Sequence, residues 1–240
     1  MRMGFDLRVL RGELALRGTA FAAALLLLAA AVPAAAQTTT AGLSLRPMVL
    51  VDQQLFAAME TFKAVFGQSS QTLWGGGLNV THNDRIYVEV SASQFKKTGE
   101  RAFVNNGQAF RLGIPLTATV TPLEITGGLR FHPRGQRPPR FSARRPAPSR
   151  FVPYVGGGIG LYQYRETSGF SLPGEDVETR HAGAILEGGV EVRLHRWFGV
   201  AADVHYTHVP GILGAGGISK DEGEKDLGGI AGRFKVIVGR

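Results

Sequence analysis

The sequence predicts an all-β chain: an eight-stranded antiparallel transmembrane β-barrel, wound up and down as a meander, with a short helix in its first long loop. Three observations lead there. Beyond residue 40 apolar residues recur with a period of two, charged residues of the same segments gather on the opposite face, and tight turns alternate with long loops. Eight such segments lie near 41–51, 71–82, 85–97, 114–132, 151–165, 181–195, 197–209 and 227–239, and an even number lets an antiparallel sheet close.

The first 36 residues read as an address rather than as structure. Arg2, Arg8, Arg11 and Arg17 precede an apolar run from Thr19 to Val32, and Ala34-Ala35-Ala36 offers a small-residue cleavage site before Gln37. The run is shorter than the roughly 20 residues of a helical span. Residues 1–36 are therefore expected to be a cleaved secretory signal peptide and 37–240 the barrel domain. The chain of 240 residues has a formal charge of +8; the leader carries four arginines and two acids, so its loss leaves +6. There is no cysteine, which excludes disulfides, thiolate chemistry and a lipid-anchored lipoprotein.

The first strand leads into residues 52–70, where Leu55, Phe56, Met59, Phe62, Val65 and Phe66 recur at helical spacing, with Asp52 as the expected cap and Gly67 as the stop. This helix is expected either to pack on the rim or, through Phe56, Met59, Phe62 and Phe66, to form a lid over the mouth or line a ligand pocket. After the second strand, His82-Asn83-Asp84 makes a tight turn. The third strand sets Ile86, Val88, Val90 and Ala92 against Tyr87, Glu89, Ser91 and Ser93. In the fourth, alternation slips from the even residues Ile114, Leu116, Ala118 and Val120 to the odd residues Leu123, Ile125, Leu129 and Phe131. A bulge near Thr121-Pro122 would restore it; a hairpin turning there would give nine strands instead.

Residues 133–150 form an insertion with arginines at 134, 137, 140, 144, 145 and 150, many prolines and no acid. It reads either as a solvated linker or as a contact for anionic headgroups or an acidic envelope partner, from Arg134 to Arg150. The fifth strand carries Gly156-Gly157-Gly158. The sixth places Ala182, Ala184, Leu186, Val190, Val192 and Leu194 opposite Glu187, Glu191 and Arg193. In the seventh, Phe198, Val200, Ala202, Val204 and Tyr206 oppose Asp203 and His205; in the eighth, Ile230, Phe234, Val236 and Val238 oppose Arg233 and Lys235. Loops 98–113, 166–180 and 210–226 are long and polar or glycine-rich, suited either to solvated surface or to contact with a ligand or another cell.

Alternation alone does not say which face is inside. Opposite charges dense on the polar faces, an exported chain with turn asymmetry, and aromatics near strand ends (Trp74, Phe131, Phe151, Tyr162, Tyr164, Trp197, Phe198) together turn the apolar faces outward to lipid. The lumen is then expected to hold a paired network of Arg85, Glu89, Glu124, Arg130, Glu187, Glu191, Arg193, Asp203, His205, Arg233 and Lys235. Gly75, Gly128, Gly156, Gly158, Gly189 and Gly229 fall on the same inner face, where they leave room for large side chains.

No reaction chemistry is expected. The three glycines continue as strand and open no helix, so they do not cradle a phosphate. His205 and His208 lie on opposite faces, and His181 and His195 have no spacing that compels a metal site. Ser91, Ser93, Asp203 and His205 form no catalytic motif. No cofactor, metal or nucleic acid is expected.

The stretches "PYVGGGIGLYQY", "GGVEVRLHRWFGVAADVHYTHV" and "DLGGIAGRFKVIVGR" resemble the small bacterial outer-membrane β-barrels of the OmpA-like and OmpW-like superfamily. The resemblance spans most of residues 41–240 and implies an outer-membrane location, contact with its lipid and insertion by the outer-membrane assembly machinery. It implies no specific activity. An eight-stranded barrel is only wide enough for side chains to fill, so a structural, envelope-integrity role with a charge-filled lumen is expected. The alternatives are a narrow channel or lateral-exit carrier for a small apolar solute, and surface binding or adhesion through the long loops.

Overall fold

The computed structural model describes residues 42–105, 108–132, 151–168, 177–195, 197–215 and 217–239. The expected leader and the arginines from Arg134 to Arg150 lie outside the described residues. The strands are β1 (Leu43–Phe56), β2 (Ser70–His82), β3 (Ile86–Asn105), β4 (Gln108–Arg130), β5 (Phe151–Thr167), β6 (Val177–His195), β7 (Phe198–His208) and β8 (Gly229–Val238). Each pairs with the next, and β8 pairs with β1, giving a closed antiparallel barrel.

The register fixes the shape. The row that starts at Arg46 passes through Asn79, Glu89, Thr126, Gly158, Ile185, Thr207 and Gly229 and returns to β1 at Phe56, a stagger of ten residues. Over eight strands this tilts each by about 40° and makes every hydrogen-bonded row climb toward the long-loop end as strand number rises. With that climb included, Trp74 on β2 and Tyr206 on β7 stand at one level. Beneath them an exposed aliphatic band including Val49, Leu78, Val90, Ile125, Ile159, Leu186 and Val204 runs down to Phe131, Phe151 and Phe198. From one aromatic level to the other the band is about 20 Å tall, close to the apolar height of an outer-membrane barrel. Tyr162 and Tyr164, expected in the girdle, instead point inward and are buried, because they share the even face of β5 with the glycines.

Three sequence expectations are corrected. There is no bulge at Thr121-Pro122: β4 keeps one register with β5 from Thr117 to Arg130 and with β3 as far as Pro115, and the register between β3 and β4 shifts between Glu100 and Ala102 instead. Even residues of β4 face inward from Leu116 to Arg130. The slip in hydrophobicity is therefore a reversal of surroundings: below, the outside is lipid and the inside polar; above, the outside is water and the inside apolar. Second, residues 98–105 and 108–113 are no open loop but the upper parts of β3 and β4, which stay paired up to Asn105 and Gln108. Third, β1 extends to Phe56, so Asp52 lies in a strand and caps nothing.

The helix α1 (Met59–Phe66) begins after Ala58, which supplies no side-chain cap. Its N-terminal donors instead reach across to the β7–β8 loop, where the Glu224 carboxylate accepts from the Glu60 and Thr61 backbone N–H at 3.0 and 2.9 Å. A negative charge there also suits the helix dipole. The helix ends at Gly67, whose left-handed φ of 80° is the expected stop. Beside that end, Arg111 donates to the Ala64 carbonyl at 3.0 Å. A second short helix, α2 (Gly217–Asp221), lies in the β7–β8 loop. The two clamp an apolar plug in the mouth: Phe56, Phe62, Leu73, Phe95, Val120, Val209, Ile212, Leu213 and Leu227 are buried together, with Phe56 and Phe62 stacked 4.1 Å apart.

Phe62 anchors this plug at 1% exposure. Phe62→Ala is expected to cost about 3–5 kcal/mol of cap stability, read as faster cleavage of the 52–70 and 210–226 segments by external protease while the barrel band on a gel persists. Equal cleavage of variant and wild type would mean that α1 is not held by this contact.

Candidate functional site

The closed sheet turns odd residues of β2, β3, β6, β7 and β8 and even residues of β1, β4 and β5 into one lumen. Its polar groups form two tiers beneath the apolar plug. In the lower tier Glu191 accepts from Arg46 and Arg130, each at 2.8 Å. Arg46 also donates to Asn79 at 2.7 Å, and Asn79 passes the chain on to Glu89 at 3.1 Å. Asp84, on the β2–β3 turn, reaches beneath the barrel to Arg193 and to His132, with Arg130 at 3.5 Å. Burial acts to raise its pKa, but the Arg193 hydrogen bonds and charge, with Arg130 and His132, hold it below the usual carboxylate range.

The middle tier is acidic. Asp52, Glu89, Glu124, Glu187 and Asp203 surround Arg233 and Lys235, and all seven are almost fully buried. The Arg233 fork donates to Asp52 at 2.7 and 3.0 Å and to Glu124 at 2.8 Å. Lys235 donates to Glu89 at 2.7 Å and stands 3.2 Å from Asp203. Two cations cannot pair five carboxylates, and tyrosines supply further donors: Tyr87 to Glu187 and Tyr154 to Asp203, both at 2.6 Å, and Tyr162 to Glu124 at 2.7 Å. Such donors are what keep a buried carboxylate from being an isolated charge. His205 is buried beside this tier, 3.9 Å from Asp203.

The glycines make these reaches possible. Tyr87, Gly128, Gly156 and Glu187 are successive members of one row across β3 to β6. The tyrosine lies flat over the two glycines to meet Glu187; a Cβ on Gly156 would stand 2.2 Å from its hydroxyl, and one on Gly128 would stand 2.8 Å from its ring. Gly75, Gly158 and Gly189 also face inward against the adjacent strand, where a Cβ would come within 2.2, 2.0 and 2.4 Å of its neighbours. Gly229 sits at the upper end with φ 133°, where a Cβ would meet the Leu55 carbonyl at 2.1 Å.

Two assignments move. Arg85 is exposed on the turn, outside the lumen, because the chain reverses through Asn83 and Asp84 in left-handed conformations and β3 begins only at Ile86. Met59 is 46% exposed on the outer side of α1, so it lines neither plug nor pocket, whereas Phe56 and Phe62 are buried and Phe66 packs partly against them. Sequence reasoning missed Asp52, Arg46, Asn79 and the three tyrosine hydroxyls. Continuing β1 in steps of two through Arg46, Met48, Leu50, Asp52 and Gln54 would have found Asp52, but the inward Met48 and Leu50 disguised that face as lipid-facing. One interior cavity lies between the tiers, against Arg130, Glu191, Tyr87 and Lys235, and another between the middle tier and the plug, against Asp52, Glu124, Phe56 and Leu227; each holds about 10 Å³, room for about one water.

A closed eight-stranded barrel with an apolar belt and an ion-paired lumen can now be set beside known proteins. The family model of the outer membrane protein beta-barrel domain matches residues 22–227. The chain belongs to that family. It is a protein of the bacterial outer membrane, seated in the lipid bilayer. Among solved structures, neisserial surface protein A has 11% identity and a TM-score of 0.50, over 83% of this chain and 99% of that one. The attachment invasion locus protein Ail of Yersinia pestis is 12% identical with a TM-score of 0.45, over 83% and 98%. The N-terminal barrel of Pseudomonas aeruginosa OprF is 11% identical with a TM-score of 0.43, over 82% and 96%. At these identities the likeness is one of fold. No protein of curated function matches the sequence significantly.

Proposed function

We propose that this outer-membrane barrel is a structural component of the envelope, with an interior that braces the wall and conducts nothing. The observation that carries the reading is the filled lumen: Arg233 and Lys235, 3% and 1% exposed, tie β8 across the interior to carboxylates on β1, β3, β4 and β7. An open channel would leave such groups hydrated, and a carrier for an apolar solute would need a cavity where Phe56, Phe62 and Leu227 are packed. The reading includes no catalysis. Its partners are the surrounding lipid and, during insertion, the outer-membrane assembly machinery.

Planar-bilayer recording tests it. Wild type is expected to show no steady conductance, whereas Glu187→Ala/Arg233→Ala combined with Phe62→Ala, which opens both the network and the plug, is expected to conduct. Steady wild-type current would overturn the structural reading in favour of a narrow channel.

A further inference from the structure

The outer wall is not uniform above the apolar belt. On β7, β8, β1 and β2 no outward-facing position of the described strands holds a lysine or arginine. On the other half of the barrel Lys96 (β3), Arg165 (β5) and Arg180 (β6) all face outward and are exposed. The register brings them together: Lys96 pairs with Thr119, Thr119 with Arg165, Arg165 with Glu178, and Gln163 with Arg180. The stagger places the three cations about 8 to 14 Å above Trp74 and Tyr206, which mark the top of the hydrocarbon. Of the outward acids on this half, Glu178 is paired to Arg180 at 2.9 Å, and Glu100 stands higher on β3, four residues beyond Lys96. Among the described residues Lys96 and Arg165 form no ion pair.

We infer that this half of the rim is a docking strip for the phosphorylated headgroup of a glycolipid in the outer leaflet. Two facts fix the occupant. The strip continues directly from the lipid-facing wall, so whatever covers Ile125 and Ile159 with acyl chains presents its headgroup at this height. Its charge also complements phosphate. Thr98, Thr117, Thr119, Gln94 and Gln163 fill the spaces between the cations with hydroxyl and amide donors, which suits a sugar. The inference does not depend on whether the lumen conducts.

The experiment uses the full folded barrel in zwitterionic detergent, titrated with a bisphosphorylated diglucosamine lipid, with its dephosphorylated counterpart and with inorganic phosphate, and read by native mass spectrometry. The phosphorylated lipid is expected to be retained in preference to the dephosphorylated one. The triple variant Lys96→Gln/Arg165→Gln/Arg180→Gln is expected to weaken that retention about a hundredfold, with heat-modifiable migration unchanged. The same number of changes on the other half, Gln53→Ala/Thr72→Ala/His208→Ala, is expected to leave it within about threefold. Equal retention of the two lipids, equal retention by wild type and the triple variant, or displacement of the lipid by millimolar inorganic phosphate would each overturn the proposal. Should the triple variant fail to fold, Lys96→Gln alone, at an exposed site without an ion pair, is expected to show about a fivefold loss, and no loss would overturn it equally.

Discussion

Arg233→Ala is expected to cost about 3–5 kcal/mol of barrel stability, among the largest losses at any single side chain here. Arg233 is 3% exposed, and its guanidinium spans the lumen between Asp52 on β1 and Glu124 on β4. Truncation leaves both carboxylates buried, each with its desolvation no longer offset by a cation, in a tier where acids already outnumber bases. Little can rearrange to help, since Lys235 is held by Glu89 and Asp203 on the other side. The check is urea unfolding in lipid vesicles, followed by gel mobility. Arg233→Lys should recover part of the loss, because it keeps the charge but not a fork able to meet two carboxylates at once. Asp52→Asn in the Arg233→Ala background should also recover part, by removing one orphaned charge. A loss below about 1 kcal/mol for Arg233→Ala would mean that water reaches this tier freely, and the interior would then be no brace.

The same tier shows where sequence reading succeeds and where it stops. In β6 and β8 one face is charged and the other aliphatic, so Glu187, Glu191, Arg233 and Lys235 could be placed inside from spacing alone. In β1 both faces are apolar around Met48 to Val51, so nothing local separates lipid from lumen, and Asp52 was read as the start of a helix. In β4 the pattern inverts at Pro122 because the strand leaves the membrane, and a one-dimensional period cannot distinguish a change of solvent from a bulge. Tyr87 and Tyr154 were legible as inward, whereas Tyr162 was expected in the girdle, and the partners of the three lie 100, 49 and 38 residues away. Those pairings follow from the ten-residue stagger, which no local pattern encodes. The upper plug was hidden for a related reason: Ile212, Leu213 and Leu227 lie in or beside what looked like a solvated glycine-rich loop, and only the docked α1 gives them a surface to cover.

Gly158→Val is expected to abolish assembly or leave a small folded fraction, although valine is by itself the better strand former. A Cβ at this position would stand 2.0 Å from the Ile125 carbonyl oxygen and 2.7 Å from the Thr126 Cα. Both are backbone atoms of the neighbouring strand, so no rotamer change relieves the clash, and β4 and β5 must separate along the run that pairs Thr126 with Gly158 and Gly128 with Gly156. That run carries the slot through which Tyr87 reaches Glu187, so prising it open costs the hydrogen bond as well as the ladder. Overpacking of this kind typically costs about 1–3 kcal/mol where side chains can yield, and more is expected where only backbone can. Gly232→Val supplies the control: Gly232 lies on β8 facing lipid, and a Cβ there meets nothing within 4 Å. Its insertion and heat-modifiable migration should match wild type, the added methyls simply joining the apolar belt. If Gly158→Val folds as well as Gly232→Val, the close approach of β4 and β5 is not required, and the glycines would owe their place to something other than the room they make for the tyrosine.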